Sequence, residues 1–216
     1  MNPLTSLLNT IIHGDCAQVM PTMPSESIDL VVTDPPFLVN YRPRDRRVVV
    51  GDKHNAWLYP SFAEMHRLLK PDSFCVSFYG WPHVEQFMTT WKSVGFAPVS
   101  HLIGLKEYRS RRGYTESFHE TIYLLAKGRP PKPAKPIKDV LDWHYTGNRL
   151  HPTQKPVAPI QKIIEAFSKR GDVVLDPFAG SGTTGIAARN CGRQFILIEK
   201  VWRHWKDARD RIAEAH

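Results

Sequence analysis

The chain has 216 residues, 42% of them hydrophobic, which is enough for one domain with a full core. Its formal net charge of +8, from 29 lysines and arginines against 21 acids, suits a polyanionic partner. Cys16, Cys75 and Cys191 are scattered without a CxxC pair, so they indicate neither a disulfide framework nor a zinc site and fit a reducing cytoplasm. The first residues show no basic region followed by a long apolar run, and no secretory signal is expected. No apolar stretch approaches the ~20 residues of a membrane span.

In chain order, Ile11-Ile12-His13 predicts a short strand running into Gly14-Asp15-Cys16. Ile28–Thr33 has the pattern of a buried strand and ends at Asp34, where Pro35 and Pro36 stop it and stiffen the turn. Residues 38–58 are polar and basic, with Arg42, Arg44, Arg46, Arg47 and Lys53, and predict a loop. Helices are expected over Ser61–Leu69 and His83–Ser93, and strands over Ser73–Tyr79, Phe96–Leu105 and Phe118–Leu125. Between the last two strands, Lys106–Tyr114 carries Lys106, Arg109, Arg111 and Arg112 and predicts an exposed connection. Lys127–Pro136 alternates proline with basic residues, so it is extended and not helical. His151-Pro152-Thr153-Gln154-Lys155-Pro156 leads into a helix over Val157–Ser168, and Val201–Ala215 predicts an amphipathic terminal helix.

Between those helices, Val173-Val174-Leu175 ends at Asp176, and Gly180-Ser181-Gly182-Thr183-Thr184 opens a helix. A second apolar run, Phe195–Ile198, ends at Glu199. Strand, glycine turn, helix, strand, acid is the order of a nucleotide-binding βαβ unit. Glycines let the backbone approach a ligand, and the helix start offers unpaired N–H groups. An acid ending the second strand is placed to accept ribose hydroxyls. The turn lacks the third glycine of the dinucleotide fingerprint and the lysine of a P-loop.

Asp176 through Thr184, read as DPFAGSGTT, instead resembles the DPFxGSGTT motif of DNA amino-methyltransferases, and Asp34-Pro35-Pro36-Phe37 is similar to their Asp-Pro-Pro-aromatic motif. The order of parts, with the tetrapeptide first and the cofactor turn last, resembles the β-class. The resemblance covers nearly the whole chain. It implies a circularly permuted, Rossmann-like α/β sheet of seven strands with helices on both faces, one strand being antiparallel; the strand after Lys106–Tyr114 is the candidate. It also implies a single domain over residues 1–216 that binds S-adenosylmethionine. By position, Asp176, Phe178, Gly180, Ser181 and Gly182 would wrap the methionine part, and Glu199 would hold the ribose. Asp15 and Cys16 would meet the adenine, and Thr153 and Lys155 the cofactor carboxylate, a charge-assisted bond. An ordinary helix N-cap remains open for Asp15. His151 reads as a structural partner, and the three cysteines as buried or incidental.

An exocyclic amine on a base is a poor nucleophile because its lone pair is conjugated into the ring. The Asp34 carboxylate and the Pro35 carbonyl can accept both amine hydrogens and free that lone pair. Phe37 offers a stacking face for a base that must first flip out of the duplex. In the family, Asp-Pro-Pro usually marks adenine N6 methylation and Ser-Pro-Pro cytosine N4; here phenylalanine replaces the commoner tyrosine. No metal is expected, because the methylsulfonium is already activated.

The expected partner is double-stranded DNA in the cytoplasm, at the nucleoid, with Arg42, Arg44, Arg46, Arg47 and Lys53 on phosphates. Lys106, Arg109, Arg111 and Arg112 form a second basic patch. Residues 127–150 are the only space for a target-recognition region, and they are too few for a separate reading domain. A short or degenerate site follows, as in a solitary phage or plasmid methylase. The resemblance also admits a homodimer. A cytosine N4 methyltransferase, an RNA methyltransferase and a non-catalytic nucleic-acid-binding module are the alternatives.

Overall fold

Apolar runs that alternate between two buried faces build the centre of this protein, seen in a computed structural model that describes residues 4–39, 54–109, 111–147 and 154–215. The elements in order are β1 (Thr10–His13), α1 (Cys16–Val19), β2 (Ile28–Thr33), α2 (Leu58–Leu68), β3 (Leu69–Phe78), α3 (Val84–Ser93) and β4 (Ala97–Lys106). They continue with β5 (Arg111–Arg112), β6 (Glu116–Ser117), β7 (His119–Lys127), β8 (Val140–Trp143), α4 (Val157–Phe167), β9 (Val173–Asp176), α5 (Thr183–Asn190), β10 (Gln194–Glu199) and α6 (Trp202–Glu214).

Among the described residues, eight strands form the main sheet in the order β1-β10-β9-β2-β3-β7-β4-β8. β7 alone runs antiparallel to its neighbours β3 and β4, as expected for the strand after Lys106–Tyr114. The expected seven strands become eight because β8 adds in parallel to the outer edge of β4, Ile103 opposite Val140 and Lys106 opposite Trp143. Its four residues alternate exposed and buried, with Leu141 and Trp143 facing inward. That alternation is short and follows a proline-rich stretch, which hides it in the sequence.

The same period of two divides the core. Val31 and Cys75 face one side, where Phe62, Met65, Phe87 and Trp91 of α2 and α3 cover them. Leu30, Val32 and Val76 face the other, against Ile160, Ile163 and Ile164 of α4 and Ala187 and Ala188 of α5. Both faces are thus buried, the condition for a largely parallel sheet. Buried Cys16, Cys75 and Cys191 are all free. Among the described residues, no helix is long and apolar enough to cross a membrane.

Candidate active site

The carboxyl ends of the parallel strands gather the chemistry on one edge, as open α/β sheets do. Asp176 ends β9 and Glu199 ends β10, Asp15 follows β1, and Asp34 follows β2. Because β7 runs the opposite way, its start reaches this edge too, and it brings Glu120.

On the cofactor side the backbone does most of the positioning. Gly180 and Gly182 hold φ of 51° and 74°, a region that favours glycine. A Cβ on Gly182 would also come within 3.0 Å of Ile212 and 3.1 Å of Ala208 of α6. Glu199 accepts from Gly180 N–H at 2.8 Å and from Val201 N–H at 2.7 Å. Burial raises its carboxyl, and those backbone donors oppose the rise. Asp176 accepts from Phe178 N–H at 3.1 Å and from the Thr184 hydroxyl at 2.6 Å, which ties the strand end to α5. Burial lifts it to about 7. Phe178 packs edge-on against Trp57 at 5.3 Å.

Two links were not visible in the sequence. Arg211 of α6 donates to the Ser181 carbonyl at 2.9 Å and the Thr183 hydroxyl at 3.0 Å, clamping the turn. Thr183 donates to the Lys155 carbonyl at 3.0 Å. Asp15 meets the N-cap description, accepting from Ala17 N–H at 3.0 Å while its other oxygen pairs with Lys200 at 2.7 Å. Burial raises its carboxyl, but Lys200 and the Ala17 N–H outweigh that and leave it lowered. Cys16 is buried with its sulfur 3.8 Å from the Ser61 hydroxyl, and burial pushes its thiol up to about 11.

On the other side, Pro35 and Pro36 are buried and Phe37 is half-buried. Gly80, just past β3, backs this turn; a Cβ there would lie 2.4 Å from the Phe37 carbonyl oxygen. Lys155 Nζ sits 3.0 Å from Asp34 Oδ2 and 3.5 Å from Glu120 Oε2, and 5.4 Å from the Phe37 ring centre. Glu120 also pairs with Lys106. The other Asp34 oxygen, Oδ1, is buried and finds no partner among the described residues, nor does the neighbouring Thr33 hydroxyl. Burial raises the Asp34 carboxyl, and Lys155 opposes the rise. For Lys155, Asp34 and Glu120 overcome burial and raise its ammonium.

Lys155 was expected at the cofactor carboxylate; its backbone does reach the cofactor turn, but its ammonium lies on Asp34. Lys106, expected in an exposed connection, is instead the last residue of β4 and 7% exposed. It follows Leu102 and Gly104 on the inward face, so the strand period carries it to Glu120. Arg109 pairs with Glu116 at 2.6 Å and stays half-exposed. Arg111 and Arg112 form β5, which pairs with β6 in a small hairpin. Arg42, Arg44, Arg46, Arg47, Lys53, His151 and Thr153 lie outside the described residues. Glu120 could have been found in the sequence, since it continues the alternation of inward-facing Ile122 and Leu124.

Residues 28–210 match a family described as DNA methylase. The chain is 48% identical over 206 residues to the Escherichia coli (strain K12) protein YubD, a methylase by name, covering 95% of this chain and 91% of that one. It is 28% identical to the type II methyltransferase M.HinfI of Haemophilus influenzae, over 98% of this chain and 70% of the relative. Among solved structures, M1.HpyAVI in complex with S-adenosylmethionine superposes with a TM-score of 0.75 at 26% identity, covering 94% and 98% of the two chains. The cytosine-N4-specific PvuII DNA methyltransferase shares the fold, with a TM-score of 0.76 at 19% identity over 95% and 90%.

Proposed function

The chain belongs to this family of S-adenosylmethionine-dependent DNA methylases, and from that premise we propose that it methylates the N6 amine of adenine flipped out of double-stranded DNA. The observation that carries the reading is the buried Asp34 Oδ1, just past the central strand β2 and without a partner among the described residues. An orphaned buried acceptor is costly, and an amine N–H is a donor that would satisfy it.

The chain's residues fit the cofactor. Gly180 and Gly182 take the positive φ that shapes the turn, and the Glu199 carboxylate is pinned by the Gly180 and Val201 N–H groups with acceptor capacity beyond those two bonds. Glu199 would hold the ribose, and Asp176, Phe178 and Ser181 the turn around the methionine part. The cofactor supplies an already activated methyl group as a sulfonium. Asp34 Oδ1 and the Pro35 carbonyl accept the two amine hydrogens, favour a pyramidal nitrogen and so expose its lone pair. Phe37 receives the flipped base on its face, which returns roughly 1–3 kcal/mol of the unstacking cost.

The aspartate in Asp-Pro-Pro-Phe supports adenine over cytosine, since the family's cytosine enzymes usually carry serine there. Half-exposed Arg109 beside β5 and the basic residues of 38–58 supply phosphate contacts on duplex DNA at the nucleoid. Little chain is left for reading sequence, and a short target site follows; a homodimer would double the reading surface.

Methyl transfer from labelled S-adenosylmethionine to mixed-sequence duplex DNA, followed by nucleoside analysis, tests this. N6-methyladenine is expected, with loss of roughly 10²–10³-fold or more in Asp34→Ala. N4-methylcytosine would correct the base, and transfer to RNA in preference to DNA would correct the polymer. One long, unique methylated motif would overturn the short-site reading.

A further inference from the structure

Four ionised side chains stand in a row beneath the proposed base site: Asp34, Lys155, Glu120 and Lys106, alternating negative and positive. Their side chains are 22%, 11%, 16% and 5% exposed, so none is a surface pair. A single pair, Asp34 with Lys155, would already be neutral. The second pair adds little net stability, because desolvating two more ions offsets their attraction. Its geometry does something else. Lys155 is shared between two carboxylates, at 3.0 Å from Asp34 Oδ2 and 3.5 Å from Glu120 Oε2. Glu120 is shared in turn between two ammonium groups.

We propose that Glu120 is a positioning residue for methyl transfer, acting on Asp34 through Lys155, with Lys106 setting how strongly Glu120 pulls. The inference rests on the reading that Asp34 receives the amine. With Glu120 drawing on Lys155 from the far side, the ammonium does not collapse onto Asp34, and Oδ1 keeps the electron density that an acceptor needs. Without Glu120, two lysines face one aspartate, and Asp34 becomes a weaker base and a weaker acceptor. Without Lys106, Glu120 leans wholly on Lys155 and Asp34 becomes more basic.

The charged and titratable groups around Asp34 come from every neighbouring element: Lys155 ahead of α4, Glu120 on β7, Lys106 on β4 and Asp176 on β9, with Tyr108 beyond Lys106. Glu120 pushes the Asp34 carboxyl up, and Lys106 pushes it down. Removing each charge therefore moves Asp34 in opposite directions.

The experiment measures kcat for DNA methylation against pH in wild type, Glu120→Gln, Glu120→Asp and Lys106→Gln, with S-adenosylmethionine affinity by calorimetry as the check that each protein folds. Glu120→Gln is expected to lower the plateau kcat roughly 10–100-fold, the range seen when the partner of a functional ligand is removed. Its acid limb should shift to lower pH, and cofactor affinity should hold. Lys106→Gln should shift the limb to higher pH, and Glu120→Asp should recover part of the rate. Limbs that stay put, or that move in the same direction in both variants, would overturn the proposal, since a merely structural role lowers rate without moving them. So would an unchanged kcat in Glu120→Gln. The wild type is assayed first: no methylated base there would sink the catalytic reading itself. N4-methylcytosine would correct only the base, since the same acceptor serves either amine.

Discussion

The two halves of the sheet hold their functional groups by different means. In β1, β10, β9 and α5 the work falls mostly to the main chain: glycines at positive φ, two N–H groups on Glu199, and one N–H on Asp176 beside the Thr184 hydroxyl. Around β2, β3, β7, β4 and the segment leading into α4 it falls to side chains: four largely buried charges, two aromatic rings beside Lys155, and the Asp34 Oδ1 and Thr33 hydroxyl, which have no partner among the described residues. The first half is complete before any ligand arrives. The second is a set of opposing charges whose balance an arriving amine would finish. A scaffold of backbone tolerates little substitution, whereas a scaffold of opposing charges depends on the balance among its members.

The largest effect that sharpens this contrast is expected at Gly182. Gly182→Val adds a branched side chain at a positive φ and against Ile212 and Ala208. Strain of about 1–3 kcal/mol should weaken S-adenosylmethionine binding by roughly 10–100-fold, read by calorimetry. Equal weakening by a substitution at Asp34 would break the division between the halves. Next comes Gly80→Ala, whose Cβ would press on the Phe37 carbonyl at 2.4 Å. It should cost roughly tenfold in kcat, as small misplacements at a reacting centre do, and leave cofactor affinity within about twofold.

A third test uses pH alone. The Asp34 carboxyl is raised by burial, so it protonates as pH falls through a value above the ordinary aspartate range. An acceptor that has taken a proton cannot serve the amine, and kcat should fall on acidification with its midpoint above 3.8. The smallest effect is expected for Arg211→Met, which removes the clamp on Ser181 and Thr183. Cofactor affinity should drop only about fivefold, because the lost hydrogen bonds are worth about 1 kcal/mol in net terms.

The contrast also explains what the sequence discloses. The cofactor turn is legible because glycines, acids and apolar runs fall within one stretch of 27 consecutive positions, Val173 to Glu199. Asp34 is legible for the same reason, being followed at once by two prolines and an aromatic ring. Glu120 and Lys106 are fourteen positions apart and meet only through the antiparallel register that sets Gly104 opposite Glu120. Lys155 reaches Asp34 across 121 positions, and no local pattern announces that distance. Sequence reading finds groups that are neighbours along the chain; it misses those that a reversed strand brings together. Lys106 went astray on composition, because a lysine beside arginines reads as surface until the strand's period is followed one residue further.

The order of the strands also bears on how the chain folds. β1 pairs, among the described residues, only with β10, which comes some 180 residues later, and β2 waits for β9 on one flank. During synthesis the strand that precedes Asp34 therefore has β3 beside it and an open edge on the other side. Such long-range pairings slow folding toward milliseconds or seconds and leave an unpaired apolar strand in the meantime. The same arrangement that sets the methylation chemistry ahead of its cofactor turn along the chain makes the emerging polypeptide depend on its last quarter to close the sheet.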